Sequence, residues 1–252
     1  MKREGEKTAL VTGASSGIGE ALSKLLVTKG YRCVAIARRR EKLKALQEQL
    51  GGEQKLVACP CDVSSMEEVF KVSKALREQN LMPNLFFLNA GMTGLPALDP
   101  KDHGLLQHHQ DLFAANYFGV LNWVEAWRDH CLEHNSETVF LVTSSLNAIF
   151  APPGGSAYAA SKAAIAKAFE AFDLQYSSQG LRFLASFPGP VATPGFVGKL
   201  PFTWPPEKMA QSLFKQAIQG KARRDPSKFH SCLFRLLRHL PYKAVHRLLK
   251  TQ

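Results

Sequence analysis

Long apolar runs are absent from the 252 residues, and none reaches the roughly 18 that a membrane-spanning helix needs. The first residues pass from charge directly into the apolar run TALVT, so we expect no signal peptide. Cysteine is scarce: there are five, and Cys59-Pro60-Cys61 is not a CxxC motif. His130 and His134 share a helix face, but no HExxH motif or cluster of carboxylates accompanies them. We therefore expect a cytoplasmic protein with no metal site.

Acidic residues are nearly missing from the end of the chain. The formal charge is +11, and from residue 221 onward nine Lys or Arg accompany only Asp225. Apolar and basic residues alternate there near helical spacing, and Pro241 divides the pattern into two short helices. Residues 226–252 are therefore predicted to be a basic amphipathic extension. Peripheral membrane contact through 228–252, a cover for the core and a subunit contact all remain open. No nucleic-acid-binding motif is present, and we expect no nucleic-acid partner.

The chain opens with a strand, a glycine-rich turn and a helix. TALVT at 8–12 is a buried-strand pattern, TGASSGIG follows with Gly13, Gly17 and Gly19, and helical spacing runs over 18–29. Glycines let the backbone approach a pyrophosphate, and the free N–H groups of a helix N-terminus face it. This order of elements predicts a dinucleotide-binding turn.

Strands and helices continue to alternate along the chain. This alternation predicts an α/β fold, a Rossmann-type doubly wound sheet in one domain over 1–225. The predicted strands are 8–12, 32–37, 55–59, 85–88, 138–143 and 182–187, and the predicted helices are 18–29, 41–50, 66–79, 111–131, 158–178 and 207–219. Ser65 and Glu68 fit a capping box before the third helix.

Polar residues follow several of these strands. In such sheets, ligands bind beyond the carboxyl ends of the strands, where Asp62 and Asn89 also lie. An NAD site usually has an acidic residue after the second strand, but here Ala37 is followed by Arg38 and Arg39. A guanidinium can bind a 2′-phosphate through two hydrogen bonds. We therefore predict NADP(H) rather than NAD(H); the alternative is that these arginines are only a solvated start to the next helix.

Acid–base chemistry concentrates between Ser145 and Lys162. Tyr158 and Lys162 are four residues apart, so on a helix they share a face. An ammonium beside a phenol lowers the tyrosine pKa, and a tyrosine so tuned acts as general acid or base. The segment predicts an activated tyrosine that meets a carbonyl group together with Ser145.

A loop rich in Pro and Gly at 193–206 carries large apolar side chains. Phe196, Phe202 and Trp204 are predicted to line an apolar substrate cavity. The alternative is that they pack onto the core.

Seven short motifs together resemble the short-chain dehydrogenase/reductase family over the chain to about residue 220. The resemblance is carried by TGASSGIG at 12–19, CDV at 61–63, NAG at 89–91, Asn116 in NYFG, Ser145, YAASK at 158–162 and PGPVAT at 188–193. The tail lacks the strand ending in Asp-Gly-Gly that many members have. The short stretches TPGF and AIQG are similar to 3-ketodihydrosphingosine reductases, which act on lipid-like ketones.

The resemblance implies about seven strands, a homo-oligomer and a catalytic tetrad of Asn116, Ser145, Tyr158 and Lys162. The resemblance also implies a role for each residue. Tyr158 donates a proton to the substrate oxygen, and Ser145 binds that oxygen. Lys162 holds the nicotinamide ribose, and Asn116 holds a water molecule of the proton relay. The cofactor-binding residues that it and the turn chemistry imply are Gly13, Ser15, Ser16, Gly17, Ile18, Gly19, Arg38, Arg39, Asp62, Val63, Asn89, Ala90, Gly91, Tyr158, Lys162, Pro188, Gly189, Val191 and Thr193.

These patterns together predict an NADPH-dependent carbonyl reductase. Its partner would be a small-molecule ketone or alcohol with a substantial apolar part, which could be a lipid intermediate. The alternative is a non-catalytic, dinucleotide-sensing or membrane-scaffold protein on the same fold.

Overall fold

The structure is a computed structural model that describes residues 7–93, 104–134, 137–194, 202–241 and 243–244. Seven parallel strands form one sheet in the order β3-β2-β1-β4-β5-β6-β7. They are β1 Thr8–Thr12, β2 Arg32–Ala37, β3 Leu56–Pro60, β4 Leu85–Leu88, β5 Thr138–Thr143, β6 Leu181–Ser186 and β7 Arg223–Arg224. The predicted doubly wound α/β class is confirmed.

Helices cover both faces of the sheet. They are α1 Gly17–Thr28, α2 Arg40–Gln49, α3 Met66–Glu78, α4 Leu105–Phe113, α5 Gly119–Glu133, α6 Ser156–Tyr176, α7 Pro206–Gln219 and α8 Lys228–His239, with a π-helical turn Ala114–Phe118 between α4 and α5. Two apolar clusters form the core, one on each face of the sheet. None of the described helices is both long enough and apolar enough to cross a bilayer.

The sheet reverses its strand order beside β1. The chain moves outward from β1 to β2 and β3, then returns to place β4 on the other side of β1. Leu10 therefore lies between Val34 on β2 and Phe86 on β4. Helices leave opposite faces of the sheet at such a point, and a crevice opens at the carboxyl ends of the strands. The site described below lies in this crevice.

Three predicted features differ in detail from the structure. The single helix predicted at 111–131 begins at Leu105 and contains the π-helical turn. The predicted strand list lacked β7, which consists of two arginines and therefore has no apolar run. Half of the capping box forms: Ser65 Oγ accepts from the N–H of Glu68, but the Glu68 carboxylate reaches the N–H of Asp62 at 2.8 Å.

The described part of the predicted extension is packed on the domain. One side of α8 buries His230 and Ser231, and Phe234 lies against Phe150 with ring centroids 6.1 Å apart. Residues 242 and 245–252 lie outside the described chain. The division of the chain after residue 225 remains a prediction.

Candidate active site

At three positions in the turn between β1 and α1 and in the first turn of α1, only glycine fits. Gly13 and Gly17 have positive φ, and a Cβ on Gly13 would lie 3.0 Å from the Cα of Ala90. Gly19 is tighter, because a Cβ there would lie 2.3 Å from the Gly13 carbonyl oxygen. Ser16, at the start of α1, makes no side-chain capping bond. The first N–H groups of the helix therefore face the crevice as donors suited to an anion.

The end of β4 is tied to the end of β1 beside this turn. The N–H of Ala90 donates to Thr12 Oγ1 at 2.9 Å, and the Asn89 side chain donates to the Thr12 carbonyl at 3.4 Å. Both strands therefore end at a fixed separation, with Asn89 and Ala90 on one wall of the crevice.

Arg39 makes the closer contact with the glycine-rich turn. Its guanidinium donates to Ser15 Oγ at 3.0 and 2.7 Å and to Ser16 Oγ at 2.7 Å. Arg38 is mostly exposed and lies 3.9 Å from the carboxylate of Asp62. Guanidinium and hydroxyl groups so clustered supply donors for a phosphate.

Asp62 is held as a carboxylate at the end of β3. Burial works against its charge, but hydrogen bonds from the hydroxyl and N–H of Ser64, together with the charge of Arg38, lower the pKa of Asp62 below its usual value. The carboxylate thus stays ionised opposite Arg38, on the same side of the crevice as the arginine pair.

Asn116 is fully buried on the π-helical turn. Its Oδ1 accepts from the N–H of Met92 at 2.8 Å, and its Nδ2 donates to the Met92 carbonyl and to Ser161 Oγ, both at 3.0 Å. Ser161 donates in turn to the Tyr158 carbonyl at 2.9 Å. The amide thus connects the segment after β4 to the first turns of α6. Sequence reasoning missed Ser161, although it directly precedes Lys162 in YAASK.

Ser145, Tyr158 and Lys162 converge beyond β5. Ser145 follows the strand, its Oγ accepts from the N–H of Asn147 at 3.1 Å, and its hydroxyl lies near enough to Tyr158 to lower the pKa of that phenol. Lys162 Nζ donates to the Thr143 carbonyl at 2.8 Å and lies 5.9 Å from the centroid of the Tyr158 ring. The predicted grouping of these three residues is present.

The pKa prediction for the tyrosine is wrong in this state of the protein. Burial raises the pKa of Tyr158, and the nearby Ser145 hydroxyl only partly offsets that rise. Burial also lowers the pKa of Lys162 to about 8. Both groups lose hydration, and both neutral forms are favoured. Burial therefore outweighs the effect on the phenol pKa that the four-residue spacing suggested for the Lys162 ammonium.

One cleft of about 670 Å³ joins these parts. Its lining includes most of the predicted residues: Gly13, Ser15, Ser16, Gly17, Ile18, Arg38, Arg39, Asp62, Val63, Asn89, Ala90, Gly91, Tyr158, Lys162 and Thr193. The sequence did not single out Ala37, Cys61, Ser64, Met92, Thr93, Asp111, Ala114, Ala115, Thr143, Ser144 and Pro194, which also line it. Most of them lie in or next to a recognised motif or Asn116 in the sequence. That position is the only feature of the sequence that could have identified them as lining residues.

Other predicted residues are not part of the cleft lining. Besides Asn116, Ser145 and Gly19, this group includes the PGPV segment. The Pro188 carbonyl accepts from the N–H of Leu146 at 3.0 Å, Gly189 packs against His230, and Val191 is buried. These contacts position the loop that ends at Thr193, whose methyl group closes over Gly17.

The predicted substrate residues are divided. Trp204 packs with the core cluster on the α1 and α7 face, under Lys208 Nζ at 4.2 Å, and is not part of the cleft lining. Phe202 is exposed and contacts Phe229 of α8. Phe196 lies outside the described residues.

The cleft residues fit a nicotinamide dinucleotide. The side-chain-free surface at Gly13 and Gly17 and the uncapped start of α1 suit a pyrophosphate. The arginines and serines suit an adenosine phosphate, and Tyr158 with Lys162 lies at the other end of the lining. The donor set and the shape therefore agree with such a ligand.

Comparisons with known proteins agree with this geometry. The short chain dehydrogenase model matches residues 7–200. A relative from Saccharomyces cerevisiae, described as an NADPH-dependent 1-acyldihydroxyacetone phosphate reductase, is 33% identical over 198 residues. The match covers 77% of this chain and 64% of the relative, so the chain spans less than two thirds of that relative's length.

Solved structures share the fold. An alcohol dehydrogenase from Thermococcus sibiricus, complexed with 5-hydroxy-NADP, has a TM-score of 0.75 at 25% identity and covers 87% of this chain and 94% of its own. A short chain dehydrogenase/reductase from Burkholderia phymatum, in complex with NAD, has a TM-score of 0.81 at 20% identity and covers 94% of both chains. With the cleft, the sheet order and the family match taken together, the chain belongs to the short-chain dehydrogenase/reductase family of oxidoreductases.

Proposed function

We propose that the protein is an NADPH-dependent reductase of a ketone whose substituents are largely apolar. The observation that carries this proposal is the grouping of Ser145 with Tyr158 and Lys162, the latter two lining one end of a dinucleotide-shaped cleft. A reduced nicotinamide bound in the cleft would supply hydride to the carbonyl carbon. The protein's own residues would supply the proton and hold the oxygen.

The protonation state of Tyr158 favours the reductive direction. Burial raises its pKa, so the phenol carries its proton at neutral pH and can donate it to a substrate oxygen that gains charge. Ser145 would donate to the same oxygen and stabilise the negative charge that develops on it. Lys162, with a pKa of about 8, can carry a proton at neutral pH and release it within one or two pH units. Asn116 would position Ser161 and α6 rather than meet the substrate directly.

NADP(H) is the proposed cofactor because of the donor cluster after β2. Arg39 is already paired with Ser15 and Ser16, and Arg38 lies beside the same space. A 2′-phosphate could accept from these groups, whereas a ribose hydroxyl would leave the Arg39 guanidinium without an anion. The yeast relative's printed description names NADPH, which supports this choice.

A lipid-like substrate is the narrower form of the proposal. The yeast relative is described as acting on an acylated dihydroxyacetone phosphate, a ketone that bears an acyl chain. Cytoplasmic location and homo-oligomeric assembly, implied by composition and resemblance, remain predictions.

Replacement of Tyr158 tests the reaction. We expect Tyr158→Phe to lower NADPH oxidation with an acylated dihydroxyacetone phosphate by at least about 100-fold, because the proton donor is lost. NADPH binding, followed by nicotinamide fluorescence, should persist.

Tyr176→Phe is the matched control, since Tyr176 has ring contacts with Phe172 and Phe183 that do not need the hydroxyl. An unchanged rate in Tyr158→Phe would overturn the mechanism. NADPH binding without turnover of any ketone or alcohol in a broad panel would instead favour the non-catalytic alternative.

Arginine replacements test the cofactor. We expect Arg39→Ala to weaken NADPH binding by about 10- to 100-fold and NADH binding far less, because charge-assisted bonds to the 2′-phosphate are lost. Arg38→Ala should act in the same direction with a smaller effect, since its side chain is more exposed. Arg40→Ala on α2 is the control. Equal losses for both dinucleotides would rule out 2′-phosphate recognition.

A further inference from the structure

Helix α8 presents an apolar stripe to solvent. Phe229, Leu233 and Leu236 follow the i, i+4, i+7 spacing of one helix face, and their exposed fractions are 59%, 41% and 58%. Phe202, 69% exposed, extends the stripe because its ring centroid lies 5.0 Å from that of Phe229. We refer to these four residues as the α8 stripe. A contiguous exposed apolar face of this kind marks an interaction site more often than isolated apolar side chains do.

The helix is fixed in place by its opposite side. His230 is buried against Gly189 and is within 2.7 Å of Ser227 Oγ, and Phe234 packs on Phe150. Asp225 anchors the first turns, accepting from Ser231 at 2.8 Å and from Arg235 at 2.6 Å. Rotation of α8 to bury the stripe would break these contacts. The α8 stripe is therefore the exposed face of a helix whose opposite side is already packed on the domain.

A basic stripe runs directly beside the apolar one. Lys228, Arg235 and His239 lie on the adjacent helix face, and all three are exposed. Helix α8 contains no acidic residue. Within the described residues, no ion pair involves Lys228, Arg238 or Lys243. Arg235 is paired with Asp225, but Lys228, Arg238 and Lys243 add positive charge that no described acidic residue pairs with, so the surface around the apolar stripe is net positive.

We propose that the α8 stripe docks on the surface of a lipid bilayer that carries anionic headgroups. A helix with one apolar and one cationic face lies in the interface plane, with apolar side chains in the acyl boundary and Lys or Arg near the headgroups. The 12 residues of α8 span about 18 Å, which fits binding along the surface rather than across it. A second copy of the chain is the weaker candidate, because two cationic faces would repel each other. This inference does not depend on the reductase proposal.

Vesicle co-sedimentation of the full chain tests the docking surface. We expect binding to vesicles of phosphatidylcholine with about 30% phosphatidylglycerol to exceed binding to pure phosphatidylcholine by about tenfold or more at low salt, and to weaken at high salt. The variant Phe229→Gln, Leu233→Gln, Leu236→Gln should lose at least about tenfold in binding to the anionic vesicles, because the inserted side chains are removed. The matched control is Met66→Gln, Leu174→Gln, Ile218→Gln, which removes three other exposed apolar side chains and should bind as the wild type does.

A charge-reversal pair keeps the test valid if the apolar variant folds poorly. Lys228→Glu with Lys243→Glu should weaken anionic-vesicle binding by about tenfold or more, whereas Lys71→Glu with Lys215→Glu, which changes the net charge equally, should weaken it much less. Equal losses in both pairs would show that only net charge matters and would overturn the assignment to α8. Absence of wild-type binding would also overturn it. So would light scattering that shows a dimer dissociated by the apolar variant, since the stripe would then be a subunit contact.

Discussion

Gly91 has no room for a side chain, because two buried polar side chains of the candidate site pack against it. A Cβ at this position would lie 2.6 Å from Asn116 Oδ1 and 3.1 Å from Lys162 Nζ. Both side chains are buried and hydrogen-bonded, so neither can move aside freely. We expect Gly91→Ala to lower the reductase rate by at least about tenfold, through displacement of Lys162 or Asn116. Steady-state kinetics at saturating NADPH would measure the effect.

Gly104 provides the control for Gly91. A Cβ there would meet nothing within 4 Å, and it precedes α4 away from the cleft lining. Gly104→Ala should leave the rate within about twofold of the wild type. If Gly91→Ala were equally active, the close packing of Asn116 and Lys162 around Gly91 would not be needed for turnover.

Lys162 should make the stability of the dinucleotide-free protein depend on pH. Burial lowers its pKa to about 8, whereas an unfolded lysine titrates near about 10.4. Below pH 8 both states carry the charge, and folding bears the full cost of burying it. Between pH 8 and 10.4 the unfolded chain binds more protons, so stability rises with pH. Lys162→Met removes this cost. Its effect on the free energy of unfolding, relative to the wild type, should therefore be about 2 kcal/mol more favourable at pH 7 than at pH 9.5.

Guanidinium unfolding at the two pH values would measure this difference between wild type and variant. Lys167→Met serves as the control, since Lys167 lies on the same helix but is exposed and paired with Glu170. Its difference from the wild type should not change between the two pH values by more than a few tenths of a kcal/mol. A pH-independent difference for Lys162→Met would show that the ammonium is not desolvated in the folded protein.

At the scale of elements, two side chains at the junction of β3 and α3 have different roles: one stabilises the helix and the other supports the ligand-binding cleft. Ser65 Oγ caps α3, whereas the Glu68 carboxylate holds the N–H of Asp62, which lines the cleft. Ser65→Ala should lower the free energy of unfolding by about 1 kcal/mol and leave NADPH affinity unchanged. Glu68→Ala should weaken NADPH binding several-fold, because the Asp62 turn is released. Chemical unfolding and fluorescence titration of both variants would check this. If Ser65→Ala weakened NADPH binding while Glu68→Ala lowered only the free energy of unfolding, the two roles would be wrongly assigned.

Strands were predictable from sequence because they are short buried apolar runs that end at a polar or glycine residue. Thr8–Thr12, Leu85–Leu88 and Thr138–Thr143 were placed without error for this reason. The turn Ala114–Phe118 was missed because one wider helical turn hardly changes the apolar spacing around it. The pKa of Tyr158 was missed for a different reason: spacing brings Lys162 onto the same face, but burial and the bond to the Thr143 carbonyl depend on tertiary packing.

At the scale of the whole molecule, the cleft draws on both halves of the sheet. Gly13, Arg39 and Asp62 come from the segments after β1, β2 and β3, whereas Thr143, Tyr158 and Lys162 come from β5 and α6. The two groups meet where the strand order reverses beside β1. A ligand that fills the cleft therefore contacts both halves. Its binding free energy should stabilise the fold as one cooperative unit.

Thermal unfolding with NADP+ would test this coupling. At about 100 times its Kd, the ligand adds about 2.7 kcal/mol, which for a domain of this size corresponds to a rise in Tm of about 5 to 10 °C. A single transition should shift as a whole, and NAD+ at the same concentration should shift it less. In Arg39→Ala the two dinucleotides should give similar shifts, because the advantage of the 2′-phosphate is lost. Two separated transitions, with only one of them ligand-dependent, would show that the halves of the sheet unfold independently and that the cleft does not couple them.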